Sequence, residues 1–262
     1  DGDIYMGLWG GSGTISIENF NNSGTISGKS RNEKGVHFEG KNNAKVHIKT
    51  FHNKQNGTIE SKDRQGVYFQ GNVHVETFHN EGFISGDGDD SKDKEGSFYS
   101  GGGVVMSGST IDTFKNSGTI QGTEYKSPSN QAGVKLIKTT VKTFENTNTG
   151  LISGLFGILA TGGTIETFKN SGTIESTIKH YAAAAIKIRA ENNNPFSITH
   201  FTNEGTIKSD SNGVLIESGN KIGTLTNKGT IETQLNGIDF YNYRTDGPKE
   251  TELDKIVLKE GS

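Results

Sequence analysis

The sequence predicts an all-β fold, a right-handed parallel β-helix solenoid of about eight coils with three short strands each and loop insertions at two corners. Three observations predict it. The phrase TFKNSGTI stands at residues 113–120 and returns letter for letter at 167–174, six looser copies accompany these two, and Gly, Asn and Ser cut each copy into segments of about three to five residues. Short alternating or β-branched segments between turn residues read as strands, and a phrase recurring every 24 to 36 residues reads as a stack of repeats. Right-handedness follows from the general preference of parallel crossovers.

The first strand of each unit holds an apolar anchor, at Phe20, Phe51, Phe78, Phe114, Phe144, Phe168, Phe201 and Leu225. A β-branched residue lies three positions before each, from Ile17 to Ile222, and Asn lies two positions after, at Asn22, Asn53, Asn80, Asn116, Asn146, Asn170, Asn203 and Asn227. In a parallel stack, equivalent residues sit roughly 4.8 Å apart, so an inward Asn amide can donate to the next Asn carbonyl only if that residue is also Asn. The eight Asn are therefore predicted to form an inward structural ladder. The Gly that follows each, from Gly24 to Gly229, is read as supplying corner backbone angles that other residues resist. The second strand centres on Ile26, Ile59, Ile84, Ile120, Ile152, Ile174, Ile207 and Ile231, and the third is Gly followed by apolar-x-apolar, as in GVHF at 35–38 and GVLI at 213–216.

Spacing after the second strand is long at 85–96, 121–133 and 175–185, and after the third at 39–47, 100–110 and 189–197, so those two corners are predicted to carry loops. Pro128, Pro195 and Pro248 fall in these loops or near the C-terminus, where a missing N–H costs no ladder bond. Residues 1–262 read as a single domain: 1–14 a cap or partial coil, 15–242 eight repeat coils, and 243–262 a partial further coil begun by Leu253 and Ile256. The sequence is accordingly expected to be a piece of a longer solenoid. A short helical turn at 179–186, KHYAAAAI, is the one exception allowed to the all-β reading.

Only 29% of the residues are hydrophobic, and the mean hydropathy is −0.60, but the apolar residues recur in fixed places, which favours a regular fold with a thin core over disorder. With 27 basic and 30 acidic residues, the net charge of −3 gives no electrostatic case for a nucleic-acid partner or an anionic membrane surface. No apolar run is long enough for a membrane helix, so direct membrane insertion of these residues is not expected. The absence of Cys excludes disulfides and leaves any metal site to His and carboxylates.

The word TFxNxGTIxG, with its Asn column, resembles the passenger domains of Gram-negative autotransporters, proteins of type V secretion, over residues 15 to about 240. The resemblance implies a β-helical stalk at the bacterial cell surface or secreted, acting without catalysis as an adhesin. Its partners would be a host-cell surface protein, matrix or glycan, or another bacterial cell through self-association. Two alternatives share the scaffold: a β-helical polysaccharide lyase or hydrolase, and the receptor-binding stalk of a secreted toxin.

Chemistry-bearing motifs are sparse. GTISGKS at 24–30 has three residues between its glycines where a phosphate loop has four, and the repeat already explains its Gly, Thr and Ile. DGDDSKDKEG at 87–96 could gather Asp87, Asp89, Asp90 and Asp93 around Ca²⁺, but lacks the glycine and closing Glu of an EF-hand loop, so a solvated acidic loop is expected. Asp239, Asp246 and Glu250 are the carboxylates to consider for glycan cleavage. His47 should stack on His74 and His52 on His79, yet a pair of His without a third partner makes a poor zinc site, so no metal and no cofactor are expected. The binding candidates come from the outward position of the third strand, read as His37, Tyr68, Phe98, Lys135, Leu159, Lys187, Leu215 and Asp239. Tyr68 and Phe98 are predicted to stack as an exposed aromatic pair flanked by His37 and Lys135, a flat surface for a sugar ring or a partner's apolar side chains.

Overall fold

The computed structural model describes residues 3–29, 33–87, 101–123, 131–177, 183–190, 194–241 and 250–259. Among these residues every regular element is a strand, and no helix is long and apolar enough to cross a membrane. The strands fall into three rows that run through the repeats. The first row holds the anchor strands, beginning with Thr14–Asn22, Lys45–Asn53, Val73–Asn80 and Thr110–Asn116. The second begins with Thr25–Gly28, Thr58–Ser61 and Phe83–Gly86, and the third with Ile4–Trp9, Val36–Lys41, Val67–Gly71 and Gly102–Ser107. Each strand pairs in parallel with its counterpart in the next repeat. Ala132–Asn146 and Phe156–Asn170 run through third and first rows without a break, so those two rows make one sixteen-stranded sheet, and the second row makes an eight-stranded sheet.

The register matches like with like. Phe20 pairs in sequence with Phe51, Phe78, Phe114, Phe144, Phe168, Phe201 and Leu225. Their rings stack at 4.5–5.1 Å within 17° of parallel, a spacing set by the separation of hydrogen-bonded strands. Phe38 and Phe69 of the third row meet that column edge-on, the arrangement the ring quadrupole favours. With the second-row Ile column these residues form one continuous core. Strict in-out alternation slips once per anchor strand: in Lys45–Asn53 the buried residues are Val46, Ile48, Phe51 and Asn53, so Lys49 and Thr50 both face outward. The three-residue step from Ile to Phe in the sequence is this slip.

All eight Asn point inward, and their amides connect. Nδ2 of Asn22 donates to Oδ1 of Asn53 at 2.8 Å, and the relay continues through Asn80, Asn116, Asn146, Asn170, Asn203 and Asn227 at 2.7–2.9 Å. Each inner amide also reaches two backbone carbonyls; that of Asn116 takes Gly118 at 3.1 Å and Leu151 at 3.2 Å. After Asn227 the next register position is Leu258, whose side chain has no carbonyl to offer, and the side-chain relay stops.

Three expectations are corrected, wholly or in part. The corner glycines after the Asn have no left-handed φ; Gly118 is required because a Cβ there would stand 2.1 Å from the Gly82 carbonyl oxygen of the preceding repeat. Left-handed residues gather instead between the third and first rows, at Asn42, Gly71, Gly108, Lys138, Gly162 and Gly219. Loops were expected at both corners; the third-to-first corner is tight in places, with one residue between Val67–Gly71 and Val73–Asn80 and none interrupting Ala132–Asn146, but six residues separate Ala184–Arg189 from Phe196–Asn203 and ten separate Ile238–Tyr241 from Glu252–Leu258. The widest separation, Gly86 to Gly102, falls between second and third rows, as does Gly122 to Ala132. The segment 179–186 supplies the start of a strand, Ala184–Arg189, and its first four residues lie outside those described.

Candidate functional site

The third-row column that suggested a binding surface is in place but covered. His37 pairs with Tyr68, Tyr68 with Val105, Val105 with Lys135, and the column continues through Leu159, Lys187 and Leu215. Val105 therefore occupies the place expected of Phe98, because GGVVM at 102–106 is the closing strand of that repeat; Phe98 itself lies outside the described residues. Tyr68 is 5% exposed, Lys135 0% and His37 8%, so these three offer no open face; Tyr5, the register partner of His37 in the preceding strand, is exposed. Tyr68, Val105 and Ile137 pack as a small apolar layer, and Ala132, Leu155, Phe156, Leu159 and Ala183 as another. The His37 ring lies between Tyr5 and Tyr68, at 5.0 and 4.9 Å, and its Nε2 meets Gln70 Oε1 at 3.1 Å. Burial, helped by the charge of Lys34, lowers its pKa to about 4.

Chemistry-bearing side chains are instead presented on the outer face of the first row, where alternation delivers whole columns to solvent. In the second and third repeats two histidine columns run side by side. His47 stacks on His74 at 5.1 Å and 12°, and His52 on His79 at 4.9 Å and 8°. Both pairs obey a diagonal rule, in which a side chain meets a residue two positions further along in the next repeat. Thus His47 donates to Glu76 at 2.9 Å, His74 to Asp112 at 3.1 Å and His52 to Glu81 at 2.7 Å, while His79 meets Ser117 at 3.4 Å and Lys169 meets Glu204 at 3.0 Å.

The two pairs differ in what the diagonal brings. His47 and His74 each have a different carboxylate, and Asp112 is also held by Lys142 at 2.7 Å. Glu81 serves both members of the other pair, with Oε2 2.7 Å from His52 Nε2 and Oε1 3.9 Å from His79 Nε2. Burial lowers the His79 pKa, which favours the neutral ring, and the hydrogen bond from His52 holds the Glu81 carboxyl below the usual carboxylate range. Sequence reading placed the four histidines and missed Glu81. The available signal was its position after the ladder Asn80, on the same outward parity as His79.

Of the carboxylates raised for glycan cleavage, Asp239 is half-buried, Glu250 is exposed and Asp246 lies outside the described residues, as do Asp89, Asp90 and Asp93 of the acidic segment. Comparison of the chain with known family models, curated proteins and solved structures finds no match.

Proposed function

We propose that the chain is a right-handed parallel β-helix serving as a non-enzymatic adhesive passenger domain, surface-exposed or secreted by a bacterium. The support for the architecture is the parallel, like-with-like register of three strand rows over eight repeats, with the hand taken from the general preference of parallel crossovers. The support for the setting is the resemblance carried by the TFxNxGTIxG word. Partners are a host-cell surface protein or glycan, or a neighbouring bacterial cell.

One observation favours binding over catalysis. The first-row carboxylates with displaced pKa values are all displaced downward: Asp112 by a hydrogen bond from Lys142, Glu81 by one from His52, and Glu204, between Lys228 and Lys169, to about 2. A glycosidase acid needs a carboxyl held up, near the working pH, to deliver its proton. Carboxylates locked to cations suit a rigid, charge-patterned face whose spacing a partner can read. The test is to apply the purified chain to glycan arrays and cultured cells while assaying the same polymers for new reducing ends. Saturable binding without chain cleavage is the expected result; turnover of any polymer would overturn the reading in favour of a lyase or hydrolase.

A further inference from the structure

We propose that His52, His79 and Glu81 form a binding site for a divalent transition-metal ion of the Zn²⁺ type, joining the second repeat to the third. The donor atoms of the three residues all lie within 4.8 Å of one another. Two imidazole nitrogens with one carboxylate are a donor set that such borderline ions favour, and a three-residue set leaves coordination positions for water or a partner's side chain.

The fold has already done much of the positioning. His52 and His79 are register partners on adjacent strands, so their backbones are fixed by the ladder, and the rings are parallel within 8°. Glu81 lies two residues beyond His79, across the ladder Asn80, and its two oxygens point to the two rings. Metal–nitrogen bonds of about 2.0–2.1 Å in a tetrahedral site require ligand atoms roughly 3.3 Å apart. The side chains therefore draw together by rotation, which their 22–39% exposure permits. His52 Nε2 now carries the proton that Glu81 accepts; on metal binding that proton moves to Nδ1, leaving the Nε2 lone pair for the ion. The charged neighbour in the same column is Lys115, next after His79, and Glu145 follows it. Their charges oppose each other at the His79 ring.

The second histidine pair supplies the control. His47 and His74 have the same residue types, the same row and nearly the same stacking, but no carboxylate in common. A site that needed only stacked histidines would use either pair; one that needs the shared Glu81 uses a single pair.

Calorimetric titration of the chain with Zn²⁺ in a non-coordinating buffer tests this, with Co²⁺ as a second probe read by its visible absorption. One equivalent is expected to bind. His52→Ala, His79→Ala and Glu81→Gln should each weaken it by about tenfold or more, and the His47→Ala/His74→Ala double variant should leave it unchanged. Zn²⁺ should also raise the melting temperature of the wild-type chain, and of the double variant, but not of His52→Ala. All these side chains face outward, and circular dichroism verifies that each variant keeps the β fold. Absence of saturable binding below millimolar Zn²⁺ would overturn the proposal. So would binding that survives in Glu81→Gln, or that disappears with His47 and His74.

Discussion

A ladder asparagine is held by more than its neighbours' side chains. Asn116 accepts from Asn80 and donates toward Asn146, Gly118 and Leu151, all with the residue fully buried. Asn116→Ala takes from the Asn146 Oδ1 its donor in a dry corner, and an unsatisfied buried polar group costs about 1–3 kcal/mol. Asn43, exposed at the edge of a turn, is the comparison: Asn43→Ala should shift the melting temperature little. Equal shifts for the two variants would refute the energetic role of the ladder. His37 gives a prediction in pH. Its folded pKa of about 4 lies below the ordinary 6.5, so between those values the unfolded chain binds more protons than the folded one, and stability rises with pH. The contribution is full above pH 6.5 and is lost as pH falls toward 4, amounting to at most about 3 kcal/mol. Melting followed from pH 7.5 to 4 should show this loss in the wild type and a flatter profile in His37→Phe; the same profile in both would exclude His37 as its source.

At the scale of the element, glycine has two separate tasks at two corners. Gly118 needs space, since a Cβ would collide with the backbone of the repeat before it, whereas Gly24 of the first repeat has nothing within 4 Å of that position. Gly118→Ala should therefore cost about 1–3 kcal/mol as an overpacking change, and Gly24→Ala should be nearly neutral in the same thermal melts. The tight corner needs a left-handed residue, and Lys138 fills it with φ 49° and an exposed side chain. Lys138→Gly should stabilise, by up to about 1 kcal/mol, because glycine carries no Cβ penalty there; a lower melting temperature would contradict this. The anchor and GTI strands were legible because each combines a fixed word with a burial pattern. The closing strand of the third repeat was misplaced because GSFY at 96–99 offers a glycine and two aromatics at the expected distance, and only the parallel register of Val104 and Met106 with Val67 and Phe69 places the strand at 102–107.

For the molecule as a whole, sequence alone supplied the columns but not their covering. Outward parity placed His37, Tyr68 and Lys135 on the outer side of the third row, yet parity says nothing about a second layer above it, and all three are buried. The first-row histidines were found for the same reason, by parity, while the third ligand needed the diagonal geometry between repeats, which a linear spacing does not carry. Large exposed apolar side chains, Leu235, Phe240, Tyr241, Ile256 and Leu258, concentrate in the last described strands and their approach, where no later described repeat covers them. The central claim is that each repeat advances the stack by one strand spacing, whatever its length in residues. The chain has no Cys, so spin labels can be placed cleanly on the outward threonine column, at Thr50 with Thr167 and at Thr50 with Thr224. Four and six repeat steps separate these pairs, which at about 4.8 Å per step predicts roughly 19 and 29 Å between backbones. Pulsed dipolar distances that grow by about 10 Å from the first pair to the second would bear out the stack; distances that do not grow with the number of repeats would contradict it.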